Sequence, residues 1–277
     1  MSRSLFQKKN CLVLFVISFF LLDMLYWNLK FNETVNVKTT SNNYMETCLK
    51  DVLFNLPYNP QKDKYSVHHY TAQTGKWNEN IRFHPLKINS QKCIIIDVGG
   101  NTIAEDTSTF LQSYPQCEYY VYEPIPSYFE NLERVFHKYE NVHIKGVGWG
   151  NKDEDISISS SSLKGQATFI MDTKGEKGNI LLKIKTPASI LDELTFSEID
   201  LLHMNCEGCE WDALIFMGEN DLFKKFKTIQ YSAHNYGKVG IGVRSWELCK
   251  IKTYLNITHD MVEGVPFGWE RWEKKYF

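Results

Sequence analysis

From Cys93 onward, short apolar runs alternate with amphipathic stretches. A β-branched run at 94–98 predicts a buried parallel strand. A helix is expected over 104–113 and a second strand over 118–122, ending at Glu123-Pro124. Pro126 opens a helical stretch to about 138, with Phe129, Leu132, Val135 and Phe136 on one face. A third strand follows over 142–147. Residues 150–186 alternate polar and apolar between Ser and Gly turns, the pattern of an antiparallel hairpin excursion. The remainder reads as helix 190–194, strand 199–204, helix 210–217, strand 228–232, helix 244–255 and a terminal strand over 258–263. Strands alternating with helices predict an α/β fold with a doubly wound, mostly parallel sheet. The aromatic and charged tail at 266–274 reads as a cap on that sheet or a sugar-stacking surface, with core packing favoured.

The N-terminal pattern is different. Arg3, Lys8 and Lys9 precede an apolar run from Cys11 to Trp27, broken by Ser18 and Asp23. Its length is near the lower limit for crossing a bilayer, and Tyr26 and Trp27 suit the interface. Residues 22–30 lack a small-x-small cleavage site, which favours an uncleaved signal anchor over a cleaved signal. The expected organisation is a cytosolic tail (1–10), a transmembrane anchor (11–27), a polar lumenal stem (28–64) and a domain (65–277). That is a single-pass type II protein facing the endoplasmic reticulum or Golgi lumen, the alternative being a secreted one. Asn32-Glu33-Thr34 and Asn256-Ile257-Thr258 are then glycosylation acceptors.

With 277 residues, 43% of them hydrophobic, the chain is large enough for one α/β core. A net charge of −2 lacks the basic excess of a nucleic-acid binder. Six of the seven cysteines lie outside the anchor, an even number that permits disulfides in an oxidising compartment without fixing their connectivity.

Chemistry gathers at the carboxyl ends of predicted strands, where open α/β sheets bind ligands. Asp97-Val98-Gly99-Gly100-Asn101 offers a carboxylate for an ammonium or hydroxyl and glycines for close approach, although an ordinary turn has the same composition. Its spacing is not that of a dinucleotide G-x-G-x-x-G loop, so a nicotinamide oxidoreductase ranks low. Glu123 ends the next strand, placed to bond both hydroxyls of a ribose. The run 201–211 ends in Asn205-Cys206-Glu207-Gly208-Cys209-Glu210. Its Cys-x-x-Cys has no second pair at zinc-ribbon spacing, and His68-His69 lacks carboxylate neighbours, so no metal site is expected.

Together, Asp97-Val98-Gly99-Gly100-Asn101, Tyr122-Glu123-Pro124-Ile125-Pro126 and Asn205-Cys206-Glu207-Gly208-Cys209-Glu210 resemble the successive motifs of the FkbM-type methyltransferases, over about residues 93–235. The resemblance implies a Rossmann-like sheet of the class I methyltransferase type and S-adenosylmethionine as cofactor. Asp97, Gly99, Gly100 and Asn101 then line its methionine part, Glu123 holds the ribose, and Gly148 and Trp149 border the adenine. Asn205, Glu207 and Glu210 are expected at the crevice mouth, near the transferred methyl. Departures from the family pattern include Ile103 for a glycine, His203 for a lysine and Asn205 for an aspartate. Ile103 is expected to crowd the methionine end. An alcohol nucleophile needs a base, for which His234 is the candidate and Glu207 the rival. The implied activity is O-methylation of a glycan or other hydroxyl acceptor in the secretory pathway. The alternative, favoured by Ile103 and Asn205, is an inactive methyltransferase-fold binding or scaffold protein.

Overall fold

The structure is a computed structural model that describes residues 40–55, 79–83, 86, 88, 92–158, 180–234, 241–264 and 267–276. The expected anchor at 11–27, the Asn32 acceptor and His68-His69 lie outside the described residues. Among the described residues no helix is long and apolar enough to cross a membrane. The chain divides between Glu46 and Thr47, and helix α1 (Thr40–Asn55) spans the division. The larger unit, Thr47–Phe277, holds the sheet and its crevice.

Five strands of the main sheet run parallel. They are β1 (Ile94–Val98), β2 (Glu118–Tyr122), β3 (Val142–Lys145), β7 (Ile199–Met204) and β8 (Phe226–Ser232). Two antiparallel strands, β9 (His259–Gly264) and β10 (Trp269–Lys274), complete it. The order is β3-β2-β1-β7-β8-β10-β9. All six residues of β7 are buried, as expected of a central strand covered on both faces. From β1 the chain winds outward through β2 and β3, then returns to place β7 on the other side of β1. This makes the β1/β7 boundary the topological switch point of a Rossmann-like sheet.

Register then fixes the site. Val98 pairs with Tyr122 on one side and Met204 on the other, and Met204 with Tyr231. The strands therefore stop level with one another. The residues that follow, Gly99, Glu123 and Asn205, share one edge.

The connecting helices follow their local signals. A single turn, α2 (Glu79–Arg82), precedes β1. Helix α3 (Glu105–Ser113) carries two acids in its first turn, and α4 (Pro126–Phe136) has proline at its start, where no amide hydrogen is needed. Leu132 and Phe136 of α4 pack with Ile95, Tyr119, Val121 and Phe110 in the core. Helix α5 (Pro187–Leu194) starts three residues before the expected 190, because the Thr186 hydroxyl accepts from the Ser189 amide at 3.2 Å and Pro187 opens the helix. Helix α6 (Cys209–Glu219) follows β7, and α7 (Ile241–Thr258) follows β8.

The hairpin excursion is present as β5 (Glu154–Ile158) and β6 (Ile180–Lys185), antiparallel. The expected third strand breaks at Lys145, and β4 (Gly148–Trp149) joins β6 in a separate three-stranded sheet instead.

The tail packs in the core as a strand that was not foreseen. It supplies β10, inserted between β8 and β9. The favoured core packing is observed: Trp269, Arg271 and Trp272 are buried and Glu270 is fully buried. Glu270 accepts from the Tyr231 hydroxyl at 2.7 Å and from Lys252 Nζ at 3.0 Å.

The six cysteines of the larger unit pair as Cys48–Cys249, Cys93–Cys117 and Cys206–Cys209. The first ties α1, within the segment read as a stem, to α7. The third closes the Cys-x-x-Cys at the start of α6.

Candidate active site

Two adjoining cavities of about 60 and 270 Å³ open over the switch point and share Gly99, Asn101, Asn205 and Glu207 as walls. They are two halves of one crevice. Gly99 makes the tight junction between β1 and β7. Its φ is +104°, and a Cβ there would lie 2.3 Å from the Asn205 carbonyl oxygen. The Gly99 and Gly100 amides both donate to the Tyr122 carbonyl, at 3.0 and 3.1 Å, and the Asn205 amide donates to Val98 O at 2.9 Å. The sheet ladder is thus continued into the loops.

Glu123 stands in the smaller half with Ile125, Tyr128, Gly148 and Trp149. Its Oε2 accepts from the Asn101 amide at 2.8 Å and its Oε1 from the Ile125 amide at 2.9 Å. Each oxygen keeps a lone pair for a ligand hydroxyl. Burial pushes the Glu123 pKa up to about 7, against the pull of those two amides.

The larger half is polar. Asp97 is buried, and its Oδ2 accepts from the Thr107 hydroxyl at 2.5 Å. Its Oδ1 has no partner among the described residues. Burial, with nearby Asp106, lifts its pKa to about 6 despite His203, Thr107 and Arg82. Asp106, in the first turn of α3, takes three donors. Arg82 Nε is 2.6 Å from Oδ1, while His203 Nε2 and Asn205 Nδ2 lie 3.0 and 3.2 Å from Oδ2. Burial works against the Asp106 carboxylate, but His203 and Arg82 outweigh it and hold its pKa well below the usual range. His203 itself is packed between Trp269, stacked at 5.0 Å, and Phe110, edge-on at 5.2 Å.

His234 closes the far wall, two residues beyond β8. Glu210 Oε1 accepts from both the His234 amide at 2.8 Å and its Nδ1 at 3.0 Å. Nδ1 therefore carries a proton, and Nε2 offers a lone pair only when the ring is neutral. Nε2 lies 3.6 Å from Glu207 Oε1 and 3.4 Å from Ser232 Oγ, and His234 lines the larger cavity. Burial depresses the imidazole pKa, but the Glu210 and Glu207 carboxylates outweigh it and raise the value. Glu210 thus fixes the orientation of the His234 ring.

A family model described as "Methyltransferase FkbM domain" matches residues 97–252, more than half of the chain. The chain belongs to the FkbM methyltransferase family. No curated protein sequence matches it significantly. Among solved structures it is similar to a fibrillarin/Nop5p complex (11% identity over 69% of this chain and 77% of that one, TM-score 0.42). It is also similar to Aeropyrum pernix fibrillarin with S-adenosyl-L-methionine (12%, 68% and 70%, TM-score 0.37). A third is the Podospora anserina methyltransferase PaMTH1 bound to SAH (12%, 92% and 95%, TM-score 0.37). These likenesses are slight, and the fold rests on the strand order of the main sheet.

The structure brings Asp97, Gly99, Gly100, Asn101, Glu123, Asn205, Glu207 and His234 to this one crevice. Glu210 departs from its expected place at the mouth: it is fully buried beneath His234. Ile103 lines the larger cavity and is 57% exposed. Asp106 and Arg82 were not foreseen. An acid in a helix's first turn is ordinary in sequence, and Arg82 lies in a segment with no motif.

Proposed function

We propose that the chain is an S-adenosylmethionine-dependent O-methyltransferase acting on a glycan or other hydroxyl acceptor. The observation that carries this reading is His234, held by Glu210 and facing the same crevice as Asp97, Glu123 and Asn205. The residues fit the cofactor. Asp97 Oδ1 is a buried, unpartnered acceptor, Glu123 has an acceptor on each oxygen, and the carboxylates suit a cation. When bound, the cofactor supplies an activated methyl on a sulfonium.

The chain's own residues orient and move one proton. Glu123 fixes the ribose, while Asp97 and Asn205 receive the amino-acid end. His234 Nε2 accepts the acceptor's hydroxyl proton, and Glu210 and Glu207 stabilise the imidazolium that results. Tight placement supplies much of the remaining rate. We place the domain in the secretory lumen, membrane-anchored or secreted. The pairing of all six of its cysteines, which suits an oxidising compartment, supports this.

Titration calorimetry with S-adenosylhomocysteine, followed by transfer of labelled methyl from S-adenosylmethionine to a panel of oligosaccharides, tests the proposal. His234→Ala should keep binding and lose transfer by roughly 10²–10⁴-fold. Wild-type transfer should rise with pH as His234 loses its proton, at a pH above the ordinary histidine value. Binding without transfer to any acceptor supports the scaffold alternative. Absence of binding at millimolar ligand sinks the methyltransferase reading.

A further inference from the structure

Asn205 is held by a neighbour that the family resemblance does not name. An amide placed against a carboxylate must present its nitrogen, because oxygen against oxygen is repulsive. Asn205 Nδ2 accordingly donates to Asp106 Oδ2 at 3.2 Å. No hydrogen bond to its Oδ1 is made among the described residues, and Asn205 lines both halves of the crevice. Asp106 cannot turn to release it. Arg82 Nε holds Oδ1 at 2.6 Å, and His203, wedged between two aromatic rings, holds Oδ2 at 3.0 Å.

We propose that Asp106 is a positioning residue: it turns the Asn205 amide so that Asn205 Oδ1 accepts from the ammonium at the amino-acid end of the cofactor. The proposal rests on the crevice being an S-adenosylmethionine site. It also explains why an amide stands at 205. A carboxylate there would face Asp106 at about the same 3.2 Å with no proton between them.

Reversing the pair provides the test. In Asp106→Asn, Arg82 still demands an oxygen at the Oδ1 position, so the new amide nitrogen faces Asn205. Asn205 must then flip and point its own nitrogen at the cofactor's ammonium. In Asp106→Asn/Asn205→Asp, the carboxylate at 205 accepts from the new amide at 106 and from the ammonium together. His203 Nε2 can meet that amide nitrogen by changing tautomer.

Binding of S-adenosylhomocysteine, which carries the amino-acid end, is compared by calorimetry with that of 5′-methylthioadenosine, which lacks it. Asp106→Asn, Asn205→Ala and Asn205→Asp should each weaken S-adenosylhomocysteine about 10–100-fold, one charge-assisted hydrogen bond. Binding of 5′-methylthioadenosine should be unchanged. The double variant should return S-adenosylhomocysteine close to the wild-type affinity. Equal losses on both ligands, no loss in Asp106→Asn, or a double variant no better than Asn205→Asp would each overturn the proposal. Asn205→Ala leaves Arg82 and His203 on Asp106, so it reads out binding even if the charge variants fold poorly. If the wild type binds neither ligand, the crevice reading itself fails, a result distinct from all of these.

Discussion

A buried carboxylate that still faces a cavity makes binding depend on pH, and Glu123 is such a group. Burial raises its pKa to about 7 in the folded protein, although two backbone amides donate to it. Ribose hydroxyls donating to the same oxygens favour the anion, so the pKa in the complex lies below that in the free protein. Cofactor binding there should therefore release a proton near neutrality. Affinity should climb as pH rises from about 6 to about 8, through the Glu123 pKa of about 7. Asp97, at about 6, acts in the same direction at slightly lower pH. Stability of the free protein has the opposite sign. A carboxyl whose pKa is raised on folding contributes most below its unfolded value, and the contribution is lost as pH passes through the folded value. Glu123→Gln should weaken binding at about pH 8 and flatten the slope below it. Calorimetry in buffers of different ionisation enthalpy measures the released proton directly. A slope unchanged by Glu123→Gln would remove the ribose assignment.

At the scale of elements, the crevice is made by strand ends that stop level and by loops pressed against them. The Gly99 loop is the tightest of these contacts, and a graded series tests it. Alanine at Gly99 meets both an unfavourable φ of +104° and the Asn205 carbonyl at 2.3 Å. At Gly100 the new Cβ meets only the side chains of Leu132 and Val121, at 2.7 and 2.8 Å, and these can shift. At Gly208 φ is +114° but nothing lies within 4 Å, so only the backbone term remains, about 1–3 kcal/mol. Gly99→Ala should be the most destabilising of the three in urea unfolding and the only one to push β1 and β7 apart. A loss at Gly99 no larger than at Gly208 would mean that the junction relaxes freely. These loops were legible in the sequence because β1, β2 and β7 are short apolar runs that end abruptly in acid or amide. Parallel pairing then brought Asp97, Glu123 and Asn205 together without further information. Strand β10 was not legible. Its charged positions pack on Lys252 and Tyr231 from other elements, and no local period reveals such partners. Asp106 was hidden for the same reason, since its three donors come from α2 and from β7 with the residue after it.

For the whole molecule, the three cystines span very different lengths of chain and should differ in their effect on stability. The separations are 201 residues for Cys48–Cys249, 24 for Cys93–Cys117 and 3 for Cys206–Cys209. Chain entropy lost by the unfolded state grows with the logarithm of loop length, giving about 5, 3.5 and 1.5 kcal/mol respectively. Cys93 and Cys117 bracket the paired starts of β1 and β2, where the Glu118 amide donates to Cys93 O at 2.7 Å. Their link therefore reinforces contacts the sheet already makes. Cys48–Cys249 fastens α1 to α7 across most of the sequence, and it should dominate. Cys206–Cys209 does something else: it frames the left-handed turn at Glu207, φ +58°, and Gly208, which places Glu207 near His234. Paired Cys→Ala variants avoid burying a new hydroxyl. The midpoint of thermal unfolding should fall most for the Cys48/Cys249 pair, less for Cys93/Cys117 and least for Cys206/Cys209. Cofactor affinity and methyl transfer should follow the reverse order, because of the six only Cys206 and Cys209 line the crevice. If the short-loop pair cost as much stability as the long one, the cystines would be acting through native packing and not through the unfolded chain. If its removal left transfer untouched, the turn would be held by Glu210 alone, through the Gly208 amide at 2.9 Å.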